Sequence, residues 1–160
     1  GNLRTAVKNG ADREARNRMA EGALLAGIAF ANSSVAAVHA LAYPLGSRFH
    51  VPHGVANSVL LPYVMQANLD SNLHRHAIIA QMLGVKTPGL SHQEAAQQGV
   101  AAVKSLIADV GIPLHLRDLG VPQDALEGMA IATMGISRLL EVNSKQLSLE
   151  DVRQIWLNAW

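Results

Sequence analysis

Nowhere along its 160 residues does this chain alternate β-branched with polar positions for more than four residues. Its apolar residues recur every three or four instead. A strand with one buried face needs period two, whereas a helix needs 3.6. The pattern therefore leads to helices packed on helices, and an all-α fold is expected over 1–160 as one domain. No repeat, low-complexity tract or flexible linker divides the chain. With 49% of the residues hydrophobic and 16% charged, one core of ordinary size can be built.

Local signals place the helices. Asp12 caps a segment reaching Phe30, in which Ala15, Met19, Gly22, Ala23, Ala26 and Phe30 share one side. Its first half carries Arg13, Glu14, Arg16 and Arg18, while "ALLAGIAFA" is small and apolar, so the helix is expected to start at the surface and end buried. A second helix is expected over 34–42, stopping near Pro44, with 46–52 as a connection. The next runs over 53–67, kinked at Pro62, and another over 71–83, closed by Gly84. Ser91 with Glu94 forms a capping box for a helix to Val110. A shorter one covers 123–134, and Ser148, with Asp151 in the first turn, caps the last.

Composition narrows function by exclusion. A formal charge of +1 with no basic run gives no general attraction to nucleic acid or anionic lipid. The longest apolar stretch, Gly22 to Ala31, is about half what a membrane span needs. The absence of cysteine excludes disulfides, thiolate metal sites and a cysteine nucleophile, and fits a cytoplasmic protein. Leu3, Ala6 and Val7 already lie at helical spacing with no capping residue before them, which reads as a chain entered in mid-helix.

Chemistry concentrates in "HALAYPLGSRFHVPHGVAN", residues 39–57, with three histidines among prolines and glycines. His74, His76, His92 and His115 lie in polar or loop contexts and read as solvated or locally bonded imidazoles. His39 has only small or apolar neighbours, so it faces a core or cavity; both a carbonyl-bonded core histidine and a metal ligand satisfy that pattern. His53 follows Pro52 at a helix start, where the positive end of the helix favours a neutral, metal-competent ring, and Gly54 is expected to allow another element close. The two histidines are fourteen residues apart and converge if the loop folds back. His50 is a third candidate. No carboxylate lies on a matching face, so spacing alone yields half a metal site.

The run "AGIAFANSSVAAVHALAYPLGSRFHVPHGVANSVLLPYVMQAN" resembles the signature region of the iron-containing (class IV) alcohol dehydrogenases, in the branch that includes the lactaldehyde reductases. The likeness continues through "IADVGIPLHLRDLGV" and "LSLEDVRQIWLNAW". It implies the family's helical C-terminal domain, with a separate N-terminal α/β domain carrying the Gly-rich dinucleotide loop. It implies His39 and His53 as two metal ligands, the others belonging to an Asp-x-x-x-His turn that does not occur between Gly1 and His39. It further implies Fe²⁺ or Zn²⁺, NAD or NADP, a small alcohol or aldehyde as substrate, and a homodimer or higher homo-oligomer. Phe30 falls in the family's substrate-facing segment, and Asn143 in a loop bordering the site. Many members have a second histidine four residues after the first; here it is Tyr43, a phenol able to relay a proton but a weak base at neutral pH. His50 is the alternative for that role. Glycerol dehydrogenase and dehydroquinate synthase share the scaffold, and a non-catalytic oligomerisation domain is the reading from outside enzymology.

Overall fold

The computed structural model describes all residues from Gly1 to Trp160 and contains helices and turns but no strand. In chain order the helices are α1 (Asn2–Lys8), α2 (Arg13–Ser33), α3 (Ala37–Phe49), α4 (His53–Asn68), α5 (Leu73–Met82), α6 (His92–Asp109), α7 (Leu126–Met134), α8 (Ser137–Glu141) and α9 (Leu149–Ala159). Single 3₁₀ turns occur at Leu69–Ser71, Leu116–Leu119 and Gln123–Ala125.

The helix starts follow from side-chain capping. Asp12 Oδ1 accepts from the Ala15 amide at 2.9 Å. Ser91 and Glu94 form the expected capping box on α6, and Ser148 with Asp151 forms a second on α9. The main core lies where α3, α4, α7, α8 and α9 meet, around the fully buried Trp156, Leu41, Leu45, Leu60 and Met129. Helices α5 and α6 pair beside it. A Cβ at Gly99 would sit 3.0 Å from that of Ala80, so glycine is what lets those two backbones approach.

The structure departs from expectation in several places. Helix α3 passes through Pro44 and ends at His50, which takes the left-handed conformation (φ 54°). Pro44 lacks the N–H that would bond the Ala40 carbonyl. Burial of Leu41, Ala42, Pro44 and Leu45 along one side outweighs that local cost of about 3 kcal/mol. Residue 34 starts no helix: Ser34 ends α2 at φ 63°, ψ −173°, and α3 leaves at 103° to α2. Helix α5 starts at Leu73, two residues later than expected, and Asn72 caps it, accepting from the Arg75 amide at 3.1 Å. The first turn of the 123–134 segment is 3₁₀, and α8 lacks any capping side chain that would have announced it.

The largest departure is α2. Its apolar end, expected to be buried, is exposed, with Leu24 and Leu25 each 66% accessible, Ile28 53% and Phe30 55%. Only Ala15 of this helix is buried, because α1 is the main element of the chain that packs along it. No single helix is long and apolar enough to cross a membrane.

Candidate metal centre

Helices α3 and α4 meet so that their first turns lie side by side. His39 sits in the first turn of α3, its amide bonded to the Ala36 carbonyl at 3.0 Å. His53 opens α4 after Pro52, whose extended backbone (φ −56°, ψ 137°) ends the loop and sets the helix direction. The intervening loop folds back and brings the two imidazoles to 5.3 Å between ring centres, tilted by 53°. Gly54 plays no part in this approach, since nothing lies within 4 Å of the Cβ it lacks.

Burial, and secondarily the charge of His53, lower the pKa of His39 below its ordinary value. The ring is therefore neutral at physiological pH, the form a metal requires. One turn after His53, the Asn57 amide nitrogen lies 3.0 Å from His53 Nε2 and donates to the His53 carbonyl at 2.9 Å. Asn57 Oδ1 is buried with no hydrogen-bond partner, an orphaned acceptor beside the pair. No third histidine and no Asp or Glu joins His39 and His53 in a metal-binding group. The donor set thus fits a divalent metal as two imidazole ligands out of the three or four it needs.

His39 and Asn57 border a mainly apolar cavity of about 410 Å³ between α3, α4 and α5. Asn143 forms part of its wall through a reciprocal amide pair with Asn68, at 3.0 and 2.8 Å. His76 also reaches this cavity with a buried Nδ1 that has no partner. Its polar sequence context had concealed that position, which only the packing of α5 reveals.

Phe30 and Tyr43 come together in a second cavity of about 470 Å³, bordered also by Ser34 and Arg138. Val35 lines both cavities, so they adjoin. His50 is exposed, caps α3 and lies in neither cavity wall. Arg138 was not anticipated from the sequence: it belongs to α8, the helix that no capping pattern announces.

Comparison with known proteins identifies the family. The model for "Fe-containing alcohol dehydrogenase family, C-terminal" matches residues 1–160. Long-chain-alcohol dehydrogenase 1 of Geobacillus thermodenitrificans (strain NG80-2) is 46% identical over 158 residues, covering 99% of this chain and 40% of that protein. Lactaldehyde reductase of Escherichia coli (strain K12) is 40% identical over 160 residues, or 100% of this chain and 41% of the relative. A crystal structure of 1,3-propanediol oxidoreductase superposes with a TM-score of 0.96 at 41% identity, over 99% of this chain and 41% of that one. The chain thus spans about two fifths of the length of these relatives. By sequence, by fold and across its whole length, the chain belongs to the Fe-containing alcohol dehydrogenase family, in its C-terminal region.

Proposed function

We propose that this chain is the metal-holding part of an NAD(P)-dependent alcohol dehydrogenase, which interconverts an alcohol and its aldehyde or ketone by hydride transfer. The observation that carries the reading is the convergence of His39 and His53 from two helices, with His39 held neutral. When bound, a divalent metal (Fe²⁺ or Zn²⁺) supplies a Lewis acid for the substrate oxygen.

The chain's own residues do the rest of what is assigned to this part. His39 and His53 each offer one ring nitrogen, and Asn57 stands one turn beyond the second ring. The mainly apolar wall of the cavity beside His39 offers a seat for the carbon chain of the substrate. Phe30 forms part of the substrate wall, and the Tyr43 hydroxyl stands one helical turn from His39, where it can pass the alcohol proton to solvent. The remaining ligands are assigned to an upstream Asp-x-x-x-His helix turn, and the dinucleotide site to a separate α/β domain.

The test uses the protein in which this chain is joined to such a domain. His39→Gln and His53→Gln should each remove the bound metal, read by elemental analysis. Each should also lower NAD(P)-linked alcohol oxidation by about 1000-fold, the loss of several kcal/mol of charge stabilisation. Undiminished oxidation by either variant would refute the assignment.

A further inference from the structure

Of the chain's asparagines, only Asn9 is followed by glycine, in "VKNGAD". The pair lies in the exposed turn between α1 and α2. Asparagine is thermolabile because the amide nitrogen of the next residue can attack its side-chain carbonyl carbon and close a five-membered ring. Glycine, having no Cβ, leaves that nitrogen least shielded. In a folded chain, the reaction depends on what holds the two groups.

The turn leaves both groups open to react. The Ala11 amide donates to Asn9 Oδ1 at 3.2 Å. Attack on Cγ puts negative charge on that oxygen, so a donor already stands where charge develops. The Asn9 side-chain NH₂, which must depart, donates to nothing, and the Gly10 amide is likewise free of backbone partners. Closing the ring requires rotation about the Asn9 Cα–C bond from its ψ of 87°. That rotation gives up the bond from the Asp12 amide to the Asn9 carbonyl, at 3.1 Å. Nothing lies within 4 Å of a Cβ built on Gly10, so the peptide turns in open space. The asparagines followed by serine are held instead. Asn32 and Asn57 lie inside α2 and α4 and donate to the Ile28 and His53 carbonyls at 2.8 and 2.9 Å. Asn143 donates to Asn68 and to the Lys145 carbonyl, both at 2.8 Å.

We infer that Asn9 is a site of spontaneous covalent modification, converted to aspartate and isoaspartate through a cyclic imide closed by the Gly10 amide. The Gly10 nitrogen gives up its proton and bonds to Asn9 Cγ. The Cγ–Nδ2 bond breaks, and Nδ2 leaves as ammonia. Water then adds to the imide, opening it at the side-chain carbonyl to give aspartate or at the main-chain carbonyl to give isoaspartate. No oxidant or reductant is consumed. The new carboxylate stands at the carbonyl end of α1, where the helix dipole opposes negative charge. Isoaspartate also lengthens the main chain of the turn by one methylene.

The experiment stores this chain in warm neutral buffer beside a synthetic peptide of residues 5–14, and maps both by mass spectrometry. The mass gain from NH₂ to OH is expected at Asn9 before any other asparagine. Its rate should lie about 10-fold below the peptide's, the factor for giving up one net hydrogen bond. Carboxyl methylation by an isoaspartyl methyltransferase should label the same peptide. Gly10→Ala, whose added Cβ meets nothing, should keep the fold and slow the conversion. A rate at Asn9 more than about 100-fold below the peptide's overturns the inference, because the turn would then hold the pair by more than that one bond. Earlier conversion at Asn32, Asn57 or Asn143 overturns it as well. An unchanged rate in Gly10→Ala refutes attack by the Gly10 nitrogen.

Discussion

Replacing Ser34 with glycine should stabilise the chain, although glycine normally does the opposite. Ser34 is exposed, its side chain makes no hydrogen bond, and its backbone lies at φ 63°, ψ −173°. Holding a non-glycine residue there costs about 1–3 kcal/mol. Glycine removes that strain but gives the unfolded chain more freedom, a penalty of about 0.4–1 kcal/mol. Strain relief wins, leaving a net gain of about 1 kcal/mol. Ser34→Ala keeps the strained backbone and loses no contact, so it should fall within about 0.5 kcal/mol of the parent. In urea, where small proteins lose about 2 kcal/mol per molar, the glycine variant should shift the midpoint upward by about 0.5 M with unchanged slope. A midpoint for Ser34→Gly at or below that of Ser34→Ala would refute the claim that this turn is strained.

Two further predictions concern the cap of α9 and the wall of the cavity beside His39. The hydroxyl and amide of Ser148, and secondarily Lys145, hold the Asp151 carboxyl at about 2, below its usual 3.8. Between those values the unfolded chain binds a proton that the folded chain refuses, so this contribution is whole above pH 4 and falls away toward pH 2. Asp151→Asn should remove about 1 kcal/mol at pH 7 and flatten that part of the acid-denaturation profile, with solvent screening already allowed for. Asn143→Ala leaves the buried Asn68 amide without its partner and should cost about 1–3 kcal/mol in urea unfolding. Adding Asn68→Ala should cost less than the two single changes summed, whereas strict additivity would show that the pair does not act as a unit.

Much of the fold was legible because its signals are local. Asp12, Ser91 and Ser148 announce helix starts that hydrogen bonds to nearby amides complete, and the histidine-rich stretch indicates the two rings that converge. Tertiary effects were hidden. Pro44 reads as a stop, yet burial of Leu41 and Leu45 carries α3 through it. The apolar end of α2 reads as core, but burial depends on what is available to cover it, and most of the chain packs elsewhere. His76 and Arg138 stand in polar contexts that resemble any solvated surface. Only the packing of α5 and α8 turns them toward cavities. Tyr43 was legible as a departure from the family's pattern, while its partnership with Phe30 across the α2–α3 turn required the geometry.

The central claim is that His39 and His53 form half of a metal site. Calorimetric titration of this chain with Zn²⁺ tests it directly. A complete structural zinc site yields about 10–16 kcal/mol. Two imidazoles alone should give one-to-one binding of about 8 kcal/mol or less, micromolar or weaker, lost in both His39→Ala and His53→Ala. Nanomolar stoichiometric binding abolished by His39→Ala would contradict the account by demonstrating a complete site within the chain, and binding that survives both substitutions would contradict the pair itself.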